Sequence, residues 1–211
     1  MRRFLLLSFL YSLIFLSFTS CKTFELKDAK TVSNSKKEVE NLYFSSNDDY
    51  VYKCQMEVYG NDISGILIIK KISETTHRVV MTSDFGNKMI DFEISKNDFK
   101  LKYVLADLDK KMVINFLKND FQELLKRNYL VNESFENNDS KIYLSNVDKK
   151  QYYLFFDKNS GLLNQVIYTK NKREKIDFTF EAKKHTFAET INLQHKDYKI
   201  KIKLFQIIET E

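Results

Sequence analysis

Apolar and polar residues alternate with a period of two over most of the chain from Tyr50 onward. Beyond Tyr50, residues Tyr52, Cys54, Met56 and Val58 share one face, while the positions between them are mostly polar. An antiparallel strand that is buried on one face and solvated on the other has this pattern. The same period predicts further strands at 63–72, 77–82, 88–95, 99–105, 141–144, 151–156, 162–168, 174–181, 190–193 and 198–208.

The period changes to that of a helix in two places. A helix over 109–127 is predicted from one apolar stripe, formed by Met112, Val113, Phe116, Leu117, Phe121, Leu124 and Leu125. A shorter helix is predicted at Glu38–Phe44, where Val39, Leu42 and Tyr43 have helical spacing. These elements predict a mainly β (α+β) fold: a single strongly curved antiparallel sheet, or half-open β-barrel, whose concave face is covered by both helices.

The residues expected on the concave face are apolar or aromatic. They are Met56, Val58, Ile66, Ile68, Val80, Ile90, Phe92, Leu101, Tyr103 and, from the long helix, Phe116. If the helix covers that face incompletely, these side chains line an apolar cavity. A sealed core would use the same residues, so the pattern leaves both interpretations open.

The first twenty residues differ from the rest of the chain. Met1–Arg3 is basic, Phe4–Leu16 is a charge-free apolar run, and small polar residues lead to Cys21. The apolar run is short for a membrane-spanning helix, which needs about 20 residues, and has the length expected in a signal peptide. The order resembles a bacterial lipoprotein signal, which implies cleavage before Cys21 and acylation of Cys21. An uncleaved signal anchor and an ordinary secretory peptide are the alternatives.

This interpretation divides the chain into a signal peptide at 1–20, a polar tether at 21–37 and one domain at 38–211. Lys22 stands where a lipoprotein retained in the inner membrane carries Asp. The expected location is therefore the outer membrane, facing the periplasm, with the acyl chains on Cys21 as the anchor.

Composition argues against several classes of protein. The 34 basic and 29 acidic residues are interspersed, so the net charge of +5 is weak evidence for a nucleic-acid partner, and none is expected. Two cysteines cannot form a disulfide framework, and the three histidines lack metal-ligand spacing. The sequence has no nucleophile elbow, phosphate-binding loop or dinucleotide fingerprint. We expect no enzymatic activity, metal or cofactor, with a hydrolase as the weakest alternative, and we expect a monomer.

The order of signal, tether, helices and strands resembles that of the LolB family, outer-membrane lipoproteins that receive other lipoproteins in the periplasm and insert them into the membrane. The segment His77–Ile94 resembles the family's strand–loop–strand segment, and 162–208 resembles its C-terminal strands. The resemblance implies that Phe85, followed by Gly86, projects from the barrel and acts in membrane insertion. It also implies that the cavity binds acyl chains of lipoproteins, that a LolA-like periplasmic carrier delivers them, and that outer-membrane lipids receive them.

Two alternatives stay open at this point. Phe85 lies at a turn and could fold back to become part of the core. The domain as a whole could be a filled β-barrel, belonging to a structural or scaffolding envelope lipoprotein that transports nothing.

Overall fold

The computed structural model describes residues 23–207, so the predicted signal peptide and Cys21 lie outside the described residues. The strands are β1 (Lys30–Val32), β2 (Glu38–Glu40), β3 (Tyr50–Val58), β4 (Asn61–Lys71), β5 (Thr76–Thr82), β6 (Lys88–Ser95), β7 (Phe99–Val104), β8 (Asn128–Leu130), β9 (Glu133–Glu136), β10 (Ser140–Val147), β11 (Lys150–Asp157), β12 (Leu163–Lys170), β13 (Arg173–Glu181), β14 (Thr190–His195) and β15 (Ile200–Gln206). A 3-10 turn at Ala106–Leu108 precedes the helix α1 (Lys111–Leu124). Between residues 23 and 207, no helix has the length and apolarity needed to cross a membrane.

Thirteen strands form one large sheet in the order β1-β9-β10-β11-β12-β13-β14-β15-β3-β4-β5-β6-β7. Its pairs are antiparallel, and β15 joins the two halves by pairing with β3. Strands β2 and β8 form a separate small sheet. The outermost strands β1 and β7 do not pair with each other, so the large sheet is not closed. The predicted mainly β fold, with one large antiparallel sheet and a long central helix, is therefore confirmed.

Contacts of α1 show how strongly the sheet curves. The Phe121 ring lies 5.4 Å from the Phe92 ring of β6, and Glu123 accepts a hydrogen bond of 2.8 Å from the Tyr152 hydroxyl of β11. Strands β6 and β11 are eight positions apart in the sheet order. In a flat sheet that separation is about 38 Å, at about 4.8 Å per strand. One short stretch of helix reaches both strands because the sheet wraps around it.

Most of the residues expected on the concave face lie on the inner side of the sheet. Those that contact the core are Met56, Ile90 and Phe92, which are buried, and Val58, Leu101 and Phe116, which are partly buried. The prediction of an inward orientation is wrong for the other residues, namely Ile66, Ile68, Val80 and Tyr103. Cys54 is buried and pairs with Gly65, and directly paired residues share a face. Residues Leu67 and Ile69 of β4 therefore point inward, and the residues between them point outward.

The physical reason for this error is the composition of β4 and a bulge on β7. Residues 66–69 are all apolar, so apolarity alone does not decide which alternate set is inside. Pairing with β3 decides it, and Val80, which is paired with Ile68, consequently also faces outward. On β7, the register shifts between the partners of Asp91 and Phe92, and this shift places Leu101 inside and Tyr103 outside.

The segment predicted as a short helix, Glu38–Phe44, forms β2 and then a turn. The side chain of Asn41 accepts a hydrogen bond of 3.1 Å from the backbone N–H of Tyr43, a local bond that competes with a helix. Phe44 has a φ of 69°, which is not a helical conformation. Val39 and Tyr43 are nevertheless buried, so the pattern located core residues correctly but assigned the wrong element.

Part of the predicted tether packs on the outer face of the sheet. Phe24 and Leu26 contact a second, smaller apolar cluster formed by Ile142, Leu144, Tyr153 and Ile167. Strand β1 follows and pairs with β9. Phe24 and Leu26, which flank a polar residue, thus cover apolar side chains on the outer face of β10–β12.

Candidate functional site

Helix α1 contacts the inner face of the sheet through Leu117, Phe121 and Leu124, which are buried. The void between α1 and the sheet has a volume of about 10 Å³ and is lined by Asp120, Phe121, Leu124, Ile191, Leu193, Ile202 and Leu204. A void of this size holds at most one water molecule, whereas pockets for small molecules have volumes of about 300–1,000 Å³. The space that could have been an apolar cavity is filled at this interface by the protein's own side chains.

A buried polar pair lies within this apolar interface. His195 Nε2 is 2.9 Å from Asp120 Oδ2 and 3.1 Å from Oδ1. Burial raises the pKa of the Asp120 carboxyl from 3.8 to about 6, although the neighbouring His195 acts in the opposite direction. The His195 ring also lies 5.1 Å from the Phe116 ring and 5.8 Å from the Tyr198 ring. The pair therefore joins α1 to β14 by a contact that depends on protonation.

The two ends of α1 are held differently. At the C-terminal end, Glu123 accepts hydrogen bonds from Lys150 at 2.7 Å and from Tyr152 at 2.8 Å. Lys126 Nζ lies 3.5 Å from the centre of the Tyr152 ring and 4.4 Å from that of Tyr129. Burial lowers the pKa of Lys126 to about 8. At the N-terminal end, the capping position is Lys110, and no side chain caps the helix.

One end of the barrel, which we term the closed end, is covered by the loops at 41–49 and 182–189. Phe44 packs on Tyr50 with ring centres 5.1 Å apart, and Phe187 stacks on the same ring at 5.2 Å. The Tyr43 hydroxyl donates a hydrogen bond of 2.7 Å to the Leu163 carbonyl, and the Tyr52 hydroxyl donates one of 2.9 Å to the Ala188 carbonyl. These contacts seal the closed end with satisfied aromatic side chains.

The opposite end, which we term the open end, carries the turns β3–β4, β5–β6, β10–β11, β12–β13 and β14–β15. In the β5–β6 turn, Gly86 N–H donates to the Ser83 carbonyl at 2.9 Å, and Gly86 has a φ of 82°. Asp84 forms an ion pair with Lys53 on the outer face. The side chain of Phe85 between them is 94% exposed, so it projects from the barrel and is not part of the core.

A shallow open depression of about 630 Å³ adjoins the Phe85 turn. It is lined by Ser83, Asn87, Lys88, Met89, Tyr103 and Leu105. A second open depression, of about 710 Å³, is lined by polar and apolar residues of β3, β4, β13, β14 and β15. Both depressions are open to the surroundings, and the second shares Leu193 and Ile202 with the lining of the void beneath α1.

Two side chains with catalytic potential, Cys54 and His77, are buried or partly buried. Cys54 is buried, and burial raises the pKa of its thiol to about 12, so the reactive thiolate is disfavoured. His77 Nε2 lies 3.0 Å from the Phe44 carbonyl, and burial lowers the pKa of this imidazole. Within residues 23–207, no group of three or more His, Cys, Asp or Glu side chains could hold a metal ion.

The sequence interpretation missed the contact of Asp120 with His195 and the contacts of Glu123 and Lys126 with Tyr152. A signal for Asp120 exists, because it shares the spacing of Leu117, Phe121 and Leu124 and hence lies on the buried face of the helix. A carboxylate at such a position needs a buried partner. No pattern in the sequence indicates that His195, far away in the chain, is that partner.

Comparison with known proteins gives no family. No family model matches the chain, and no curated protein matches it. Among solved structures, a DUF1329 family protein from Desulfovibrio piger is 10% identical, with a TM-score of 0.43 over 77% of this chain and 85% of that one. A predicted outer-membrane lipoprotein-sorting protein domain from Vibrio parahaemolyticus is 7% identical, with a TM-score of 0.44 over 76% and 83%. At these TM-scores the likeness is too low to support a family or a function.

Proposed function

We propose that this protein is a lipoprotein of the outer membrane, anchored through Cys21, that binds acyl chains of other lipoproteins between α1 and the sheet. A LolA-like periplasmic carrier delivers the cargo, and outer-membrane lipids accept it. The protein acts as a monomer and without catalysis, because transfer between apolar environments requires no bond to be broken. The observation that carries the proposal is the apolar interface of α1, which is secured at one end of the helix and uncapped at the other.

The filled interface means that a guest chain must displace α1. Displacement is least costly at the N-terminal end, whose backbone N–H groups have no side-chain cap. At the other end, Glu123 and Lys126 hold the helix to β11, so this end serves as the hinge. Displacement of α1 exposes aliphatic and aromatic side chains of the helix and of the inner face of the sheet. A bound acyl chain would cover these side chains in place of the helix. Each CH₂ group kept from water contributes about 0.8 kcal/mol, so the cargo offsets the cost of separating α1 from the sheet.

Exposure of Phe85 supports a role in release. An aromatic side chain at a loop tip can enter the interface between lipid headgroups and acyl chains. A protein anchored through Cys21 would hold this tip at high effective concentration near the bilayer. Insertion of the tip would then disturb lipid packing where the cargo leaves the protein.

Photocrosslinking tests the binding step. The full chain, isolated with its own anchor, is mixed with a triacylated lipopeptide that carries a photoreactive group on an acyl chain. We expect crosslinks on α1 and on the inner face of β14, around Phe121 and Leu193. Crosslinks confined to Ile68 and Val80 on the outer face would contradict the proposal.

A transfer assay tests the release step. Cargo lipoprotein loaded on a carrier is offered to the anchored protein in vesicles. We expect Phe85→Glu to lower transfer at least tenfold and Phe85→Leu to retain it, because only the first introduces a charge at the tip. Equal transfer by both variants would remove Phe85 from the mechanism.

The second candidate function is that of a scaffolding envelope lipoprotein with a filled barrel. The void of about 10 Å³ beneath α1 favours it. The crosslinking experiment separates the two functions, since a scaffold gives no crosslink to the inner face under conditions in which a fatty-acid-binding control protein is labelled.

A further inference from the structure

Exposed aromatic side chains are concentrated on one side of the open end. Phe85 lies in the β5–β6 turn, Tyr59 in the β3–β4 turn and Tyr198 in the β14–β15 connection, and their exposed fractions are 94%, 45% and 55%. Strands β14, β15, β3, β4, β5 and β6 are consecutive in the sheet, so these three turns are neighbours along its rim. The rim therefore presents a row of aromatic tips to the surroundings.

Basic residues occupy the turns along the rest of the same rim. Lys149 lies in the β10–β11 turn, Lys172 in the β12–β13 turn and Lys199 at the end of the β14–β15 connection, and all three are exposed. None of the three forms an ion pair with another residue of the described chain. One acidic residue, Asp148, is exposed beside Lys149 in the same turn. Aromatic tips beside lysines that form no ion pair match an anionic bilayer, since aromatic rings favour the headgroup level and lysines attract acidic lipids.

The path of the chain toward Cys21 leads to this end. The backbone N–H of Phe24 donates a hydrogen bond of 2.8 Å to the carbonyl of Lys172, and its ring lies 4.7 Å from the Tyr153 ring. Cys21 precedes Phe24 by three residues. The described part of the chain therefore begins beside the β12–β13 turn of the open end.

We infer that the open end is a docking surface for a bilayer containing anionic phospholipids, and that it fixes the orientation of the domain beneath its anchor. The inference rests on the proposed acylation of Cys21 and specifies which face of the domain meets the membrane. The lysine side lies next to the anchor, and the aromatic side meets the bilayer at a distance from it. Contact at both places prevents the domain from swinging freely, which a lipid anchor alone would allow.

Depth-dependent fluorescence quenching tests the orientation. The full chain is isolated with its acyl anchor, reconstituted in vesicles of phosphatidylethanolamine and phosphatidylglycerol, and labelled at a single introduced cysteine. Asn61→Cys and Asn87→Cys place the label at the open end, and the matched control Asn97→Cys places it in the β6–β7 turn at the opposite end. Native Cys54 stays unlabelled because it is buried.

We expect spin-labelled lipids to quench the two open-end labels at least threefold more strongly than the label at Asn97→Cys. Iodide in the water phase should show the opposite order. Equal quenching of all three labels, or stronger lipid quenching at Asn97→Cys, would overturn the inference. Recovery of the wild-type chain without an acyl group would also overturn it, because the anchor is a premise.

Charge variants test the lipid class. One triple variant replaces rim lysines (Lys149→Gln, Lys172→Gln, Lys199→Gln), and a matched control replaces three exposed lysines elsewhere on the sheet (Lys30→Gln, Lys100→Gln, Lys141→Gln). We expect the rim variant to lose at least half of the open-end quenching in phosphatidylglycerol vesicles and the control to lose none. Equal quenching in purely zwitterionic vesicles would contradict the requirement for anionic lipid.

These outcomes are independent of acyl-chain binding. Open-end quenching without photocrosslinks inside the barrel would leave the docking surface intact and disprove the transfer function. Photocrosslinks and transfer without open-end quenching would disprove the docking surface and leave the transfer function intact.

Discussion

The closed and open ends of the barrel use the same kinds of side chain in opposite ways. At the closed end, Phe44, Tyr50 and Tyr52 are at most 2% exposed, and the two tyrosine hydroxyls bond to backbone carbonyls. At the open end, Phe85 and Tyr198 extend into the surroundings with more than half of their surface exposed. The chain is thus able to cover aromatic residues with loops and does so at only one end.

The difference lies in the connections between strands. The closed end receives the loops at 41–49 and 182–189, which are long enough to fold over the strand ends and supply their own aromatic side chains. The open end has mostly tight hairpin turns, whose residues are too few to bury anything. Aromatic side chains in such turns stay at least partly exposed, and the proposed contact with a bilayer would cover them.

The strongest test of this comparison is to truncate one aromatic side chain at each end. Phe44→Ala leaves a cavity against Tyr50 and Tyr52 and should lower the free energy of unfolding by about 3–5 kcal/mol. Phe85→Ala removes a side chain that is almost fully exposed. It should change the free energy of unfolding by less than about 0.5 kcal/mol. Urea denaturation followed by circular dichroism measures both values. A similar loss in both variants would mean that the two ends do not differ as described.

Groups whose charge depends on pH lie toward both ends: His77 contacts the Phe44 carbonyl at the closed end, and Asp120 contacts His195 toward the open end. The pKa of Asp120 is about 6 in the folded protein against 3.8 for an ordinary carboxyl, so folding disfavours its ionised form. Below pH 3.8 the group is protonated in both states and has no effect on stability. As the pH rises toward 6, the unfolded chain ionises first, and the free energy of unfolding falls by about 3 kcal/mol in total.

The control for this pH dependence is Asp120→Asn, which keeps a polar side chain beside His195 but does not titrate. Urea denaturation of both proteins at pH 4, 5, 6 and 7 should show the decline in the wild type and a flatter profile in the variant. Parallel profiles would indicate that Asp120 retains an ordinary pKa in the folded protein.

How far the fold could be predicted depends on how strictly apolar and polar residues alternate within each element. Strands such as β3 and β6, where the alternation is strict, were placed on the correct face. The inward-facing residues of β4 were predicted wrongly, because Ile66–Ile69 is apolar on both faces. Only the pairing with β3 determines which face is buried. The long helix was predictable from its seven-residue stripe, and its ends differ by two or three residues from the predicted ones.

The candidate site was less accessible to prediction, since it depends on long-range contacts. The spacing of α1 indicates that Asp120 is buried, yet His195 lies 75 residues away, and only the wrapping of the sheet joins them. The sequence of the turn likewise does not determine whether Phe85 is exposed, because the same residues allow its side chain to fold back into the core or to project outward. Whether the apolar face under α1 is open or filled is set by packing volumes that no pattern of residue types records.

Tyrosine hydroxyls provide a finer test of the two ends. Tyr52→Phe leaves the buried Ala188 carbonyl without its partner and should lower the free energy of unfolding by about 1–2 kcal/mol. Tyr198→Phe alters an exposed hydroxyl and should have no measurable effect on stability. Both substitutions preserve the ring, so urea midpoints report the hydroxyl alone. Loss of stability in Tyr198→Phe would reveal a contact at the open end that the comparison denies.

The smallest expected effect concerns the backbone of the open end. Gly86 has a φ of 82°, and a Cβ there would meet nothing within 4 Å, so Gly86→Ala introduces backbone strain and no clash. The left-handed conformation costs an alanine about 1–2 kcal/mol, and the reduced freedom of the unfolded chain offsets part of this. We expect a loss of about 1 kcal/mol by urea denaturation, and the same for Gly60→Ala, whose φ is also 82° with nothing within 4 Å. A loss of about 3 kcal/mol or more in either variant would show that a segment covers that turn, and the open end would then be closed as well.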